Sequence, residues 1–186
     1  KPLARSLDEA RAIWQRARSL GRDAQMSFQF RHVPALYRAR DLIGEGRLGE
    51  LYSFRASYMR SSYIDPRQPL RWKGLRERAG GGSLNDTAQH ALDLQTRLVG
   101  PPVRLAALAR TLVSDRPAAR GSAERVPVDT DDHVILLAAM PNQAIGTIEA
   151  GRMVAGSVHD LGVELHGSRG SIRWNLMDAN HLYLAE

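Results

Sequence analysis

The sequence predicts an α+β fold: a largely antiparallel open sheet with helices on one face, preceded by a separate helix and strand. Two observations predict it. Helical periodicity dominates up to Gly100, and closely spaced strand signals dominate after it. Helices first and strands later segregate the two kinds of element, unlike the alternation that builds a parallel sheet.

The elements follow in order. Ser6 and Glu9 form a capping-box pair ahead of Leu7, Ala10, Ile13, Trp14, Ala17 and Leu20, which recur at helical spacing until Gly21. Met26 to Phe30 alternates as a short strand, and Pro34 to Ile43 reads as a second helix closed by Gly44 and Gly46. From Leu51 to Met59, Tyr52, Phe54, Ala56 and Tyr58 share one face of a strand. Residues 60–79 carry Pro66, Pro69 and many charges, the texture of a long loop that is either functional or a surface excursion. A third helix is expected from Leu84 to Val99, ended by Gly100-Pro101-Pro102. Strands are expected at Val103–Val113, His133–Ala139, Ala144–Ala150, Val158–His166, Ser171–Asn175 and His181–Leu184, with residues 114–129 a flexible crossover.

Composition narrows the function classes. At 186 residues, 43% hydrophobic and 25% charged, the chain matches soluble globular proteins with one core, or one domain plus part of another. Its longest apolar run, Val134 to Met140, is far too short for a bilayer, so no membrane partner is expected. There is no cysteine, which excludes disulfides and thiolate chemistry and fits a reducing, cytoplasmic setting. The net charge of +6 invites a nucleic-acid reading. However, arginines such as Arg5, Arg11, Arg16, Arg18 and Arg22 are scattered singly among acidic and apolar residues, and no nucleic-acid partner is expected.

One constellation carries chemistry. On the third helix Asp86, His90, Asp93 and Arg97 fall at intervals of four, three and four, so they share a stripe. A carboxylate one turn before an imidazole orients the ring and raises its pKa towards neutrality, as a general acid or base requires. Gly80, Gly81 and Gly82, just upstream, let backbone approach a ligand at the helix N-terminus. The competing reading is structural: Asp86 complements the helix dipole, and His90 is solvated on a polar stripe. The pair also resembles half a metal site, yet nothing is spaced to complete it, and Asp131, Asp132 and His133 read as a strand-entry loop. No metal is expected. His32, His159, His166 and His181 show no convergent spacing.

The segment from Gly80 through Asp86 and His90 to Asp93, followed by Leu98-Val99-Gly100, resembles the G-G-G-x-x-x-D-x-G-x-H-x-x-D helix of the glucose-fructose oxidoreductase / inositol dehydrogenase / rhizopine catabolism protein (Gfo/Idh/MocA) family. Further segments match it in order: Lys1-Pro2-Leu3 (the end of E-K-P), Phe28 to Arg31 (G-F-x-x-R) and Ile43 to Leu51 (the helix ending G-x-L-G-E). Val128 to Asp132, Gly146 to Ala150 and His166 to Ser171 resemble its C-terminal sheet. Ala88 departs from the usual Gly between Asp and His, and Asn85 replaces a frequent Gly before the Asp.

The resemblance implies an oxidoreductase moving hydride between a sugar or cyclitol hydroxyl and NAD or NADP. Residues 1–30 would be the remnant of a Rossmann dinucleotide-binding domain, and residues 31–186 a substrate-binding and oligomerisation domain. No G-x-G-x-x-G turn occurs, so the chain alone is expected to be inactive. The family's catalytic trio maps to Lys1, Asp86 and His90, with Lys1 and Pro2 facing the cofactor. His90, with Asp86, would take the hydroxyl proton while Lys1 positions the oxygen. Arg31, Trp72 and Arg152 are the expected substrate contacts, each with the competing reading of a surface or packed side chain. A homo-oligomer paired through the sheet face is expected. Two alternatives stay open: a non-catalytic binding or dimerisation module of the same fold, and redox-assisted glycoside hydrolysis.

Overall fold

The computed structural model describes residues 1–186. Its first helix, α1 (Leu7–Ser19), starts where expected, with Ser6 Oγ accepting the amide of Glu9 at 3.2 Å. None of its residues is buried, and Leu7, Ile13 and Trp14 lie exposed along it. The strand expected at residues 26–30 does not form. A strand needs a neighbour to take its backbone groups, and none runs alongside. Instead Phe28 N–H bonds locally to Met26 O, and Gln29–His32 closes into a 3₁₀ turn.

Helix α2 (Pro34–Gly44) opens with proline in the first turn and buries Ala35, Leu36, Ala39 and Leu42. Strand β1 (Leu51–Met59) has the expected bounds, and Phe54, Ala56 and Tyr58 point inward. The loop that follows is ordered, with a 3₁₀ turn at Trp72–Gly74 and one turn of helix, α3 (Arg76–Ala79). The expected third helix is two pieces: a π turn, Leu84–Ala88, running into α4 (Gln89–Val99).

Strand β2 (Arg104–Arg110) precedes a small ribbon, β3 (Asp115–Pro117) with β4 (Arg125–Pro127), inside the stretch expected to be a flexible crossover. Then come β5 (His133–Ala139), β6 (Ile145–Gly151), β7 (Asp160–Gly167), β8 (Ser171–Asn175) and β9 (Tyr183–Ala185). The large sheet has seven strands in the order β2-β5-β6-β1-β7-β8-β9. Only β1 with β6 is parallel. The fold is therefore α+β with a largely antiparallel sheet.

Alternation along each strand puts one face in the core, where Phe54, Ile148, Leu161, Leu165, Ile172 and Trp174 pack beneath α2 and α4. The other face is open. It exposes Leu108, Ile135, Leu137 and Ile145 on its β2-β5-β6 half, and Arg55, Glu164 and Arg173 on the other half. No helix is long and apolar enough to cross a membrane.

Candidate active site

Between the π turn, the end of β1 and the 3₁₀ turns lies a cavity of about 420 Å³ lined by Lys1, Tyr58, Arg60, Lys73, Asp86 and His90, with Gln29, Phe30, His159 and Leu176 at its margins. The three residues expected to do chemistry, Lys1, Asp86 and His90, thus meet in one place. They arrive by two routes. His90 and Asp86 project from the helix, and Lys1 folds back so that Nζ lies 3.4 Å from Gln29 Oε1.

The helix is held at its start by Asp131. The Asp131 carboxylate accepts from Gly82 N–H at 2.8 Å and Leu84 N–H at 2.7 Å, satisfying orphan donors of the first turn. Gly82 has to be glycine, since a Cβ there would overlap the Asp131 main chain. Gly80 closes α3 with φ of +77°, and Asn85 packs its side chain against Gly80 and Gly81. The triple glycine therefore lets the chain approach itself closely here. π turns recur where a helix must present side chains at a site.

His90 is only 7% exposed, walled by Phe28, Phe30 and Tyr58 edge to face at 5.7, 5.2 and 5.8 Å between ring centroids. Its Nδ1 is sealed without a hydrogen-bond partner, so Nε2 is the nitrogen with access to the cavity. Burial pushes its pKa down to about 4, Lys1 acts in the same direction, and Asp86 opposes them. The expectation from spacing, a pKa raised by Asp86, is thereby reversed: desolvation outweighs the carboxylate. Asp86 instead takes Lys73 as its close partner, Oδ1 to Nζ at 2.6 Å.

Lys73 and Tyr58 line the same cavity, which spacing did not reveal. Lys73 sits on the 3₁₀ turn, whose carbonyl at residue 73 accepts from Thr130 Oγ1 at 3.1 Å and from the Arg152 guanidinium at 3.3 Å. Tyr58 OH meets His159 Nδ1 at 2.9 Å, bringing in a histidine whose position in the sequence gave no hint. Burial raises the Tyr58 pKa, keeping the phenol protonated.

The expected substrate contacts lie elsewhere. Arg31 pairs with Asp93, Nε lying 3.0 and 2.9 Å from its two oxygens, which fastens the 29–32 turn to α4. Arg152 is 2% exposed and bound to Asp132 Oδ1 at 2.7 Å, to Thr130 Oγ1 at 3.0 Å and over the Tyr63 ring. Trp72 is exposed beside Lys73, outside the lining. Pro2 lines a neighbouring apolar cleft of about 410 Å³ with Leu3, Leu84, Asn85 and Gln89. Asp132 and His133 pair with Arg152 and with Glu149.

Comparison with known proteins places this arrangement. A family model described as the GFO/IDH/MocA C-terminal domain matches residues 36–173. Levoglucosan dehydrogenase of Pseudarthrobacter phenanthrenivorans is 33% identical across 100% of this chain and 50% of its own length. A solved levoglucosan dehydrogenase, in complex with NADH and L-sorbose, superposes with a TM-score of 0.95 at 34% identity, covering 100% of this chain and 49% of that one. A crystal structure of an oxidoreductase domain protein from Kribbella flavida gives a TM-score of 0.92 at 32% identity, covering 100% and 51%. The chain spans about half the length of these relatives. On the family match and on these likenesses over its whole length, the chain belongs to the GFO/IDH/MocA family and carries its C-terminal domain.

Proposed function

We propose that this chain forms the substrate-binding part of an NAD(P)-dependent dehydrogenase acting on a hydroxyl of a sugar or cyclitol. The observation that carries the reading is His90: an imidazole buried, neutral and open at Nε2, in a cavity shared with Lys1 and the Lys73–Asp86 pair. A neutral imidazole with a free lone pair is unprotonated at physiological pH and so able to accept a proton. Nε2 takes the proton of the substrate hydroxyl. Lys1 Nζ, held by one long hydrogen bond of 3.4 Å, is free to donate to the same oxygen and stabilise its growing charge. Asp86 and Lys73 stay paired beside them and fix the local field.

The residues present fit the reacting end of a nicotinamide and not its phosphates. Lys1 and Pro2 lie where the cavity and the apolar cleft adjoin, and the chain has no glycine-rich phosphate turn. When bound, a nicotinamide supplies the acceptor for the hydride that leaves the carbinol carbon as it becomes a carbonyl. Solved complexes of levoglucosan dehydrogenase with NADH and with levoglucosan or L-sorbose support both the cofactor and the sugar class. We assign residues 1–30 to a dinucleotide-binding unit and 31–186 to the substrate and oligomerisation domain. The uncovered apolar stripe of α1 supports the division. Trp72 is retained as a rim residue able to stack on a sugar face, whereas Arg31 and Arg152 position the 29–32 turn and Lys73.

In the full-length protein, His90→Ala should lower NAD(P)-dependent turnover of a sugar substrate by at least about a hundredfold, with the assembly mass unchanged. Turnover at the wild-type rate would remove His90 as the base. Residues 1–186 alone should show no turnover in the same assay.

A further inference from the structure

The fold satisfies its buried guanidiniums with care. Arg116, 1% exposed, donates to the carbonyls of Asp65 at 2.8 Å and Tyr63 at 2.6 Å, and Arg152 is bound to Asp132 and Thr130. Arg60, which is only part-buried, differs from both: it lines the cavity, makes no ion pair and no side-chain hydrogen bond, and its Nε is sealed from solvent without an acceptor. Nε is closed to a ligand as well as to water, so the two terminal nitrogens, which no protein acceptor takes and which are not sealed, are the donors Arg60 offers the cavity.

The position of Arg60 is rigid. Its amide donates to Gly151 O at 2.8 Å and its carbonyl accepts from Val154 N–H at 2.9 Å, so the backbone is pinned on both sides. It stands two residues beyond Tyr58 in extended chain and therefore on the same side of the sheet, facing the cavity. The charges around it can be paired off. Lys73 is matched by Asp86, and Lys1 is set for the oxygen that gains charge when the hydroxyl loses its proton. One fixed positive charge, that of Arg60, remains.

We infer that Arg60 is a specificity-determining residue and that the cavity takes a sugar acid, its planar guanidinium donating paired N–H bonds to the two carboxylate oxygens. A carboxylate carries the single negative charge that Arg60 leaves unmatched. A phosphate monoester carries nearer two, which leaves negative charge unpaired beside Asp86. This deepens the dehydrogenase reading and rests on it for the sugar ring.

The test is calorimetric titration of the full-length protein with D-glucuronate and D-galacturonate, against D-glucose, D-galactose and D-glucose 6-phosphate. At least one uronate should bind about tenfold or more tightly than its neutral parent, the span of one charge-assisted contact. Arg60→Gln should collapse that ratio and Arg60→Lys restore part of it. The inference is overturned if the neutral hexoses or the phosphate bind as tightly as the uronates, if neither uronate binds, or if Arg60→Gln keeps the ratio. Should Arg60→Gln fail to fold, the wild-type ratios decide alone. Nicotinamide reduction followed alongside separates the two ideas: a uronate bound preferentially but never oxidised sinks the dehydrogenase reading and leaves Arg60 its role. Neutral sugars oxidised without uronate preference do the reverse.

Discussion

At the scale of single residues, the chemistry turns on which force governs His90. Burial lowers its pKa to about 4, Lys1 adds to the effect and Asp86 resists it. A base whose folded pKa lies below its ordinary value stays competent above that pKa and is lost as pH falls through it. The kcat/KM profile of the full-length protein should therefore be flat around neutrality and fall only in acid, on a limb below the ordinary imidazole range. Lys1→Met removes a cation and should move the limb to higher pH. Asp86→Asn removes an anion and should move it lower. Profiles that superpose in all three proteins would contradict the electrostatic account. By the same sign, folding stability tied to His90 is whole above its ordinary pKa of about 6.5 and erodes as the solution is acidified. Lys1, Asp86 and His90 were legible in the sequence because an ordered set of motifs carries them. Lys73, Tyr58, Arg60 and His159 were not, since they come from a loop, a strand end and a turn that only tertiary folding brings together. The direction of the His90 shift escaped too, because helical spacing shows Asp86 and hides the aromatic wall of Phe28, Phe30 and Tyr58.

At the scale of elements, the helix that carries Asp86 and His90 is held by a contact between distant segments. The Gly82 backbone lies against Asp131, whose carboxylate caps the π turn, while Ser83 Oγ donates to Asp132 O at 2.7 Å. A methyl group at residue 82 forces these segments apart. Gly82→Ala should cost about 1–3 kcal/mol, seen as a lowered midpoint in thermal unfolding, and should reduce turnover by displacing Asp86 and His90. A variant with wild-type melting and wild-type rate would mean that the close approach is not needed. Strands β1 and β8 were legible to the residue because their apolar alternation is uninterrupted, and β5 because Val134 to Ala139 is one unbroken apolar run. The β3–β4 ribbon was not: each strand has three residues and ends in proline, so local preference argues against it and only cross-pairing stabilises it. The missing strand at residues 26–30 errs in the other direction, since alternation was present and a partner strand was not.

At the scale of the whole molecule, the sheet is covered on one side only. Its open face divides into an apolar half around Leu108, Ile135, Leu137 and Ile145 and a charged half around Arg55, Glu164 and Arg173. Strand β2 is exposed along all seven of its residues. A contiguous apolar patch of this kind seldom stays in water on a monomer, and the commonest cover is a second copy related by two-fold symmetry. Such pairing leaves the cavity free, because His90 and Asp86 lie on the helical side of the sheet. Leu137, 59% exposed and near the middle of the apolar half, is the residue whose change should matter most. Leu137→Asp places a charge at the centre of the proposed contact, where its desolvation opposes pairing. Light scattering on the full-length protein should then report a smaller assembly than wild type, while circular dichroism stays unchanged because residue 137 takes no part in the core. If the mass is the same for both proteins, the open sheet face is not the interface, and some other surface must account for how its apolar half is tolerated.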